Sequence, residues 1–262
     1  MVLRPEKIER VLVAIDASLP CNDVLEAAVE FAVLSDAPLM ALFVEDVNLV
    51  KLSALPFAKE LDRSSGIMRP LDPESVIRSL ALDAQKLRKR LSEESKKRRI
   101  SVSMKVVRGQ YITTAVNMAG KRDIVFLEDS TRLYYGHPGT GPDWSVERKF
   151  GFGQKPVWVF YDGSADSRRC LALSLSLSQG YGLDLVILMA EGCSEEELRD
   201  LLHELPSGQP GSYHLLPLSH QEEVAATAQH SGGTVLVLPR EGAPDRAADS
   251  ILLTIRCPRI LV

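Results

Sequence analysis

The stretch Arg10-Val-Leu-Val-Ala-Ile-Asp16-Ala-Ser18 decides the fold, because it is a short apolar run that ends in an aspartate. A continuous run of valine, leucine and isoleucine of this length is typical of a strand that is buried on both faces of a sheet. The pattern returns later in the chain as Pro156-Val-Trp-Val-Phe-Tyr-Asp162-Gly-Ser164. The chain therefore opens twice in the same way, with an apolar strand followed by aspartate, a small residue and serine.

Helical and strand patterns alternate after each opening. The first half predicts helices over 22–34, 74–97 and 112–119, and strands over 39–44, 102–107 and 123–127. The second half predicts helices over 167–179, 195–205, 222–230 and 245–255, and strands over 185–189, 213–218, 234–238 and 259–262. Strands that alternate with helices predict a parallel sheet covered on both faces. Because the two halves agree in order, we predict two tandem α/β domains of three-layer α/β/α architecture, over 1–135 and 156–262, with a linker over 136–155.

Three segments of the chain depart from a simple repeat of two equal domains. The first shows no convincing fifth strand, so we expect its last helix–strand unit to be missing or reduced to 144–150. The segment 56–73 is an insertion with several prolines, which can be either a lid over a first-domain site or a surface loop. The glycine-rich run 136–141 is interpreted as linker, because it follows no strand directly and Pro138 lacks an N–H donor.

Composition limits the classes of function. A chain of 262 residues is long enough for two domains. Its net charge of −4 does not favour nucleic acid or an anionic membrane as a partner, and no apolar run reaches the roughly 18 residues of a membrane span. The four cysteines are widely spaced, which favours reduced thiols and a cytoplasmic location over a disulfide framework or a zinc site.

Several motifs together resemble the universal stress protein family. They are the opening at 10–18, the second strand Ala41-Leu-Phe-Val-Glu-Asp46, the turn Val106-Val-Arg-Gly109 and the ending Cys257-Pro-Arg-Ile-Leu-Val262. The resemblance covers nearly the whole chain, twice. It implies a fold of the adenine nucleotide alpha-hydrolase-like type, with a five-stranded parallel sheet in each domain and dimer-like pairing of the domains.

The resemblance also implies where a ligand would lie. In family members that bind ATP, the aspartate after the first strand lies at the nucleotide, a second-strand valine touches adenine, and a glycine-rich loop after the fourth strand holds the phosphates. The corresponding first-domain site consists of Asp16, Ala17, Val44, Gly109, Leu127 and Glu128, with Asp162 as the equivalent in the second domain. The alternative for each aspartate is structural, as a helix cap or as the acceptor of a turn-ordering hydrogen bond.

This sequence departs from the family pattern in both phosphate loops. Glu128 stands where the first glycine belongs and Asp129 follows it, so two carboxylates would repel a triphosphate unless a metal ion intervened. In the second domain Pro239 has no N–H to donate, and Ala247-Ala248 replaces the later Gly-Ser. We therefore expect no cofactor and no metal, with ATP or AMP binding as the alternative. No spacing of His, Cys, Ser or Asp predicts a catalytic set.

The predicted function is a non-catalytic binding or regulatory protein of the stress response, whose domains pair as an internal pseudo-dimer and whose chains can form a homodimer. One alternative is an ATP- or AMP-binding protein or a slow metal-dependent nucleotide hydrolase, with Glu128 and Asp129 as metal ligands. Another is an interaction module that regulates a partner protein through the basic stretch 86–99. The solvent-facing side of a long helix explains that stretch more simply, because Glu93 and Glu94 interrupt it.

Overall fold

The computed structural model describes residues 8–17, 22–61, 66–128, 155–204, 212–231, 233–241, 252, 255 and 257–262. We refer to 8–128 as the N-terminal half and to 155–262 as the C-terminal half. The N-terminal half contains β1 (Arg10–Asp16), α1 (Asn22–Leu34), β2 (Leu39–Asp46), α2 (Val47–Ser53), β3 (Lys59–Leu61), β4 (Met68–Pro70), α3 (Pro73–Arg98), β5 (Val102–Gly109), α4 (Tyr111–Met118) and β6 (Asp123–Leu127). The C-terminal half contains β7 (Val157–Tyr161), α5 (Ala165–Tyr181), β8 (Leu185–Met189), α6 (Glu195–Glu204), β9 (Tyr213–Pro217), α7 (Gln221–Ser231), β10 (Val235–Leu238) and β11 (Arg259–Leu261).

The strands form one nine-stranded sheet in the order β5-β2-β1-β6-β11-β10-β7-β8-β9. The order β5-β2-β1-β6 in the N-terminal half repeats as β9-β8-β7-β10 in the C-terminal half, and every pair within a half is parallel. The central strands β1, β6, β7, β8 and β10 are almost entirely buried, as their continuous apolar sequences predict. The predicted α/β class with a mostly parallel sheet is confirmed.

Helices cover both faces of the sheet, which gives three layers. One face carries an apolar cluster with α1, α3, α5 and α6, and the other carries a cluster with α4, α7, Leu252 and Ile255. Alternate residues of each strand feed the two clusters: Val11, Val13 and Ile15 belong to the first, and Leu12 and Ala14 to the second. Burial on both faces explains why the strand sequences do not alternate between apolar and polar residues.

The two halves meet where β6 pairs with β11, and we call this strand pair the seam. The pairing is antiparallel, with Phe126 opposite Ile260, and both side chains are fully buried. β11 is also parallel to β10. The carboxyl ends of the parallel strands therefore lie at one edge of the sheet in the N-terminal half and at the opposite edge in the C-terminal half.

The place beside β6 is where a fifth strand of the N-terminal half would lie, by analogy with β11 beside β10. At the seam this place is taken by a strand of the other half. Residues 129–154, which include most of the predicted linker and the segment 144–150, lie outside the described residues.

One prediction about the N-terminal half needs correction. The segment 56–73 was predicted as a loop, but it contains the antiparallel hairpin of β3 and β4, preceded by the short helix α2. Asp46 begins α2 by accepting a hydrogen bond from the backbone N–H of Asn48 at 2.8 Å. Strands of three residues are too short to produce a periodic pattern, so the sequence offered no signal for the hairpin.

Smaller differences concern element ends. α4 begins at Tyr111, one residue before the predicted start, and β5 continues to Gly109 beyond its predicted end at 107. Most of the predicted helix over 245–255 lies outside the described residues. In the part of the chain that the structure describes, no helix is both long and apolar enough to cross a membrane.

Candidate functional site

A crevice is expected at the carboxyl edge of the N-terminal half, between β1 and β6. The chain runs outward from β1 through β2 to β5 and then returns to the other side of β1 as β6. In open parallel sheets, ligands bind at such a reversal of strand order, beyond the carboxyl ends of the strands. Both strands have a neighbouring strand on each side. The groups that lie beyond their carboxyl ends therefore decide whether a ligand can enter.

The structure places the residues predicted for the first-domain site along this edge. Asp16 ends β1 and pairs with Val44, and the backbone N–H of Ala17 donates to the carbonyl of Val44 at 3.1 Å. Leu127 ends β6, and Glu128 follows it. Asp16 is 4% exposed and Glu128 9% exposed, so both carboxylates are largely removed from water.

Tyr111 lies across this crevice, and sequence reasoning missed it. Its hydroxyl donates to the carbonyl of Ala14 in β1 at 2.8 Å and accepts from the backbone N–H of Glu128 at 2.9 Å. One phenol therefore joins the backbone of β1 to the residue that follows β6. Its ring packs against the apolar cluster that includes Ala14 and Leu127. The available signal was an aromatic residue placed directly after the turn that ends β5.

Gly109 ends β5 two residues before the start of α4. A Cβ atom at this position would collide with the hydroxyl of Thr114. Glycine therefore lets α4 pack closely on the end of β5, and this packing places Tyr111, the first residue of α4, beside β1. The assignment of Gly109 to a ligand site, which rests on the family resemblance, stays a prediction.

In the C-terminal half, Asp162 orders the turn that leads into α5. Its Oδ1 accepts the backbone N–H of Ser164 at 3.0 Å, and the hydroxyl of Ser164 accepts the N–H of Ser167 at 3.1 Å. These are an Asx turn and a helix N-cap, the structural alternative that the sequence allowed for this aspartate.

The loop after β10 contacts the other half of the molecule. Arg240 donates through its guanidinium to the backbone carbonyls of Gly120 and Asp123. The Asp123 side chain in turn pairs with Arg10 and accepts the N–H of Gly120 at 2.8 Å. Burial lowers the pKa of Arg240, and the negative charge of Asp123 opposes that shift. The loop that would hold phosphates in an ATP-binding relative is thus occupied by a contact across the seam.

A cavity of about 360 Å³ opens at the carboxyl ends of β8 and β9. Its charged lining residues are Glu191 and Glu195, accompanied by Cys193 and by apolar or small residues. A polyphosphate has no cation to meet among these lining residues and would be repelled by the two carboxylates. This cavity therefore suits neither the phosphates nor the charge of a nucleotide.

Cys193 is a half-buried thiol at this cavity. Burial raises its pKa, the negative charges of Asp162 and Glu197 raise it further, and a backbone hydrogen bond at Ala190 opposes the rise. Because the thiolate is the nucleophile, this environment makes Cys193 a poor one at neutral pH. A catalytic cysteine requires the opposite electrostatics.

We therefore expect Cys193 to react with iodoacetamide several-fold more slowly near pH 8 than the same cysteine in the urea-unfolded chain. The difference should narrow as the pH rises, because the folded thiol ionises only at higher pH. Peptide-level mass spectrometry distinguishes Cys193 from the other three cysteines, and Cys193→Ser provides the background. Faster alkylation in the folded chain than in the unfolded chain would show that the thiol is activated.

No group of three or more His, Cys, Asp or Glu side chains that could hold a metal ion occurs within the described ranges. Asp129, the second carboxylate of the metal-dependent alternative, lies outside those ranges.

Comparisons with known proteins bear on the fold. No family model matches the chain, and none of the curated proteins matches it. Among solved structures, the chain is similar to a universal stress protein from Archaeoglobus fulgidus DSM 4304, with 13% identity, a TM-score of 0.55 and coverage of 95% of each chain. A second structure, of a putative universal stress protein from Pseudomonas aeruginosa UCBPP-PA14, has 13% identity and a TM-score of 0.47. The alignment covers 97% of this chain and 93% of that one.

At these identities the likeness establishes the fold alone. The molecule has the α/β/α fold of the universal stress proteins, with a mostly parallel sheet between two layers of helices.

Proposed function

We propose that the chain is a non-catalytic regulatory protein of the universal stress type that acts in the cytoplasm, with the ancestral nucleotide crevice closed in the N-terminal half and the phosphate loop altered in the C-terminal half. The repeated strand order supports an origin from two diverged copies, now paired as an internal pseudo-dimer through β6 and β11. The observation that carries the proposal is the Tyr111 hydroxyl, hydrogen-bonded to both Ala14 and Glu128. A ligand between β1 and β6 would have to break both bonds.

Three further observations support the absence of nucleotide binding and catalysis. Glu128 is buried beside the crevice, where its carboxylate would oppose a phosphate. The second phosphate loop contains Pro239 and directs Arg240 across the seam. The cavity in the C-terminal half is lined by carboxylates and a poorly nucleophilic thiol. Each of these observations counts against nucleotide binding or against catalysis.

The test is whether the chain carries or binds a nucleotide. Protein purified without added nucleotide should release none when it is denatured and the extract is chromatographed. ATP and AMP, each with and without magnesium, should leave the melting temperature unchanged. A ligand at about a hundred times its Kd would stabilise the fold by about 2.7 kcal/mol, so binding of that strength could not be missed.

Variants of Tyr111 show what closes the crevice. Tyr111→Ala removes the ring, and Tyr111→Phe removes only the bridging hydroxyl. The thermal assay with ATP and AMP on both variants therefore separates the contribution of the ring to closing the crevice from that of the hydroxyl. We expect neither to turn over ATP. Co-purified nucleotide, or a magnesium-dependent hydrolysis that disappears in Glu128→Gln, would overturn the proposal in favour of a nucleotide-binding protein or a hydrolase.

A further inference from the structure

The helix α3 carries a concentrated positive charge. Residues 73–99 contain nine basic and four acidic residues, although the whole chain has a net charge of −4. Arg78, Lys89 and Lys96 are exposed and lie at helical spacings of eleven and seven, which places them on one face of the helix. The solvent-facing side of α3 is therefore a basic stripe.

Local ion pairs neutralise only part of this charge. Lys86 pairs with Asp83 at 2.8 Å on the flank of the helix. Arg88, Lys89 and Lys96 form no ion pair with any described residue. Glu93, also exposed, lies four residues after Lys89 on the same side, but basic residues outnumber it there, and a face of net positive charge attracts a partner of opposite sign.

The helix α6 has the opposite charge. Its ten residues, Glu195–Glu204, include five acidic residues and one arginine. Arg199 lies 3.5 Å from Glu195, which leaves Glu196 and Asp200, one turn apart, without a counter-ion among the described residues. Both are exposed. The outer side of α6 is therefore an acidic stripe.

These two helices cannot neutralise each other within one chain. Leu91 of α3 and Leu198 of α6 belong to the same apolar cluster, so both helices lie on the same face of the sheet. α3 connects β2 to β5, and α6 connects β8 to β9, which are the pairs at opposite ends of the nine strands. At a strand spacing of about 4.8 Å the ends are roughly 40 Å apart, several Debye lengths at physiological salt.

We propose that the partner of this face is a second copy of the chain, bound so that α3 of each copy lies against α6 of the other. A two-fold axis parallel to the strands and above this face superposes opposite ends of the two sheets, and it creates both contacts at once. An axis across the strands would instead place α3 against α3. The charge pattern thus selects one closed, symmetric dimer. This inference concerns assembly and does not depend on the proposed function.

Sedimentation velocity on the full chain tests the proposal through charge exchange. The α3 variant is Lys89→Glu/Lys96→Glu and the α6 variant is Glu196→Lys/Asp200→Lys. Each alone should weaken dimerisation by at least about tenfold, because like charges then face each other. Mixed in equal amounts, the two should form a heterodimer, since both contacts again join opposite charges. The control Lys51→Glu/Lys59→Glu changes net charge by as much as the α3 variant, at positions outside α3 and α6, and should dimerise like the wild type.

Ionic strength provides the second readout. Dimerisation should weaken as salt rises from about 0.01 M to about 1 M, over which the Debye length falls from about 30 Å to about 3 Å. A wild-type chain that stays monomeric at the lowest salt would overturn the proposal. A mixture of the α3 and α6 variants that fails to associate would also overturn it. So would a wild-type association that resists salt and is lost in Phe57→Ser, because that result would indicate an apolar contact elsewhere.

Discussion

Replacing Phe126 with alanine is expected to lower the free energy of unfolding by about 3 to 5 kcal/mol, the usual loss for a fully buried phenylalanine. Phe126 is 0% exposed, and its ring centroid lies 5.5 Å from that of Phe31. It is also opposite Ile260 at the seam, so the cavity would open where the halves join. Urea denaturation followed by circular dichroism measures the loss.

The same variant tests whether the sheet unfolds as one unit. Trp158 is fully buried in β7 of the C-terminal half, and the chain has one other tryptophan, Trp144. In a Trp144→Phe background, the fluorescence of Trp158 should shift to lower urea together with the circular dichroism signal. Phe57→Ala is the matched control: Phe57 is 74% exposed, and its loss should change stability by less than about 0.5 kcal/mol. An unmoved Trp158 transition in Phe126→Ala would mean that the halves unfold separately.

The central strands could be predicted because their cause is local. β1 and β6 read as continuous apolar runs since both of their faces are covered by helices, and the repeat of the pattern in the second half indicated a parallel sheet. The sequence also predicted the helix α1 over its full length, because its buried residues recur at helical spacing, which is likewise a local signal.

The seam could not be predicted in this way. β11 reads as the last strand of its own half, and nothing local in Arg259–Leu261 indicates that its second neighbour is β6. Strand pairing over this separation depends on which sheet edge is left open in three dimensions. The sequence did indicate the condition for it, namely that the first half lacks a convincing fifth strand.

The candidate site shows a similar division. The sequence placed Asp16, Val44 and Glu128 at one edge, because strand ends of a parallel sheet converge. It could not reveal that a side chain from α4 reaches between them, since Tyr111 is distant from Ala14 in sequence and gives no periodic signal. Nothing local in the sequence indicated that the hydroxyl of Thr114 lies beside Gly109, where a larger residue would meet it.

The second large effect is expected at Arg240. Replacing it with methionine keeps the apolar stem but removes the guanidinium that donates to the carbonyls of Gly120 and Asp123. Hydrogen bonds from charged donors contribute more than neutral ones, so we expect a loss of about 2 to 3 kcal/mol in the free energy of unfolding. Arg240→Lys should recover only part of it, because an ammonium cannot present the planar fork of donors. Arg168→Met, an exposed arginine on α5, is the matched control and should be nearly neutral.

This result bears on function as well as on stability. A guanidinium in the fourth-strand loop could serve a bound phosphate or the seam, and in this structure two of its nitrogens donate to the seam. If it serves the seam, inorganic phosphate and ATP should leave the wild-type melting temperature unchanged. Arg240→Met should then have a lower melting temperature and should likewise show no response to phosphate. If instead Arg240→Met were as stable as the wild type and phosphate stabilised only the wild type, the loop would still be an anion site. The proposal that the phosphate loop of the C-terminal half no longer binds phosphate would then fail.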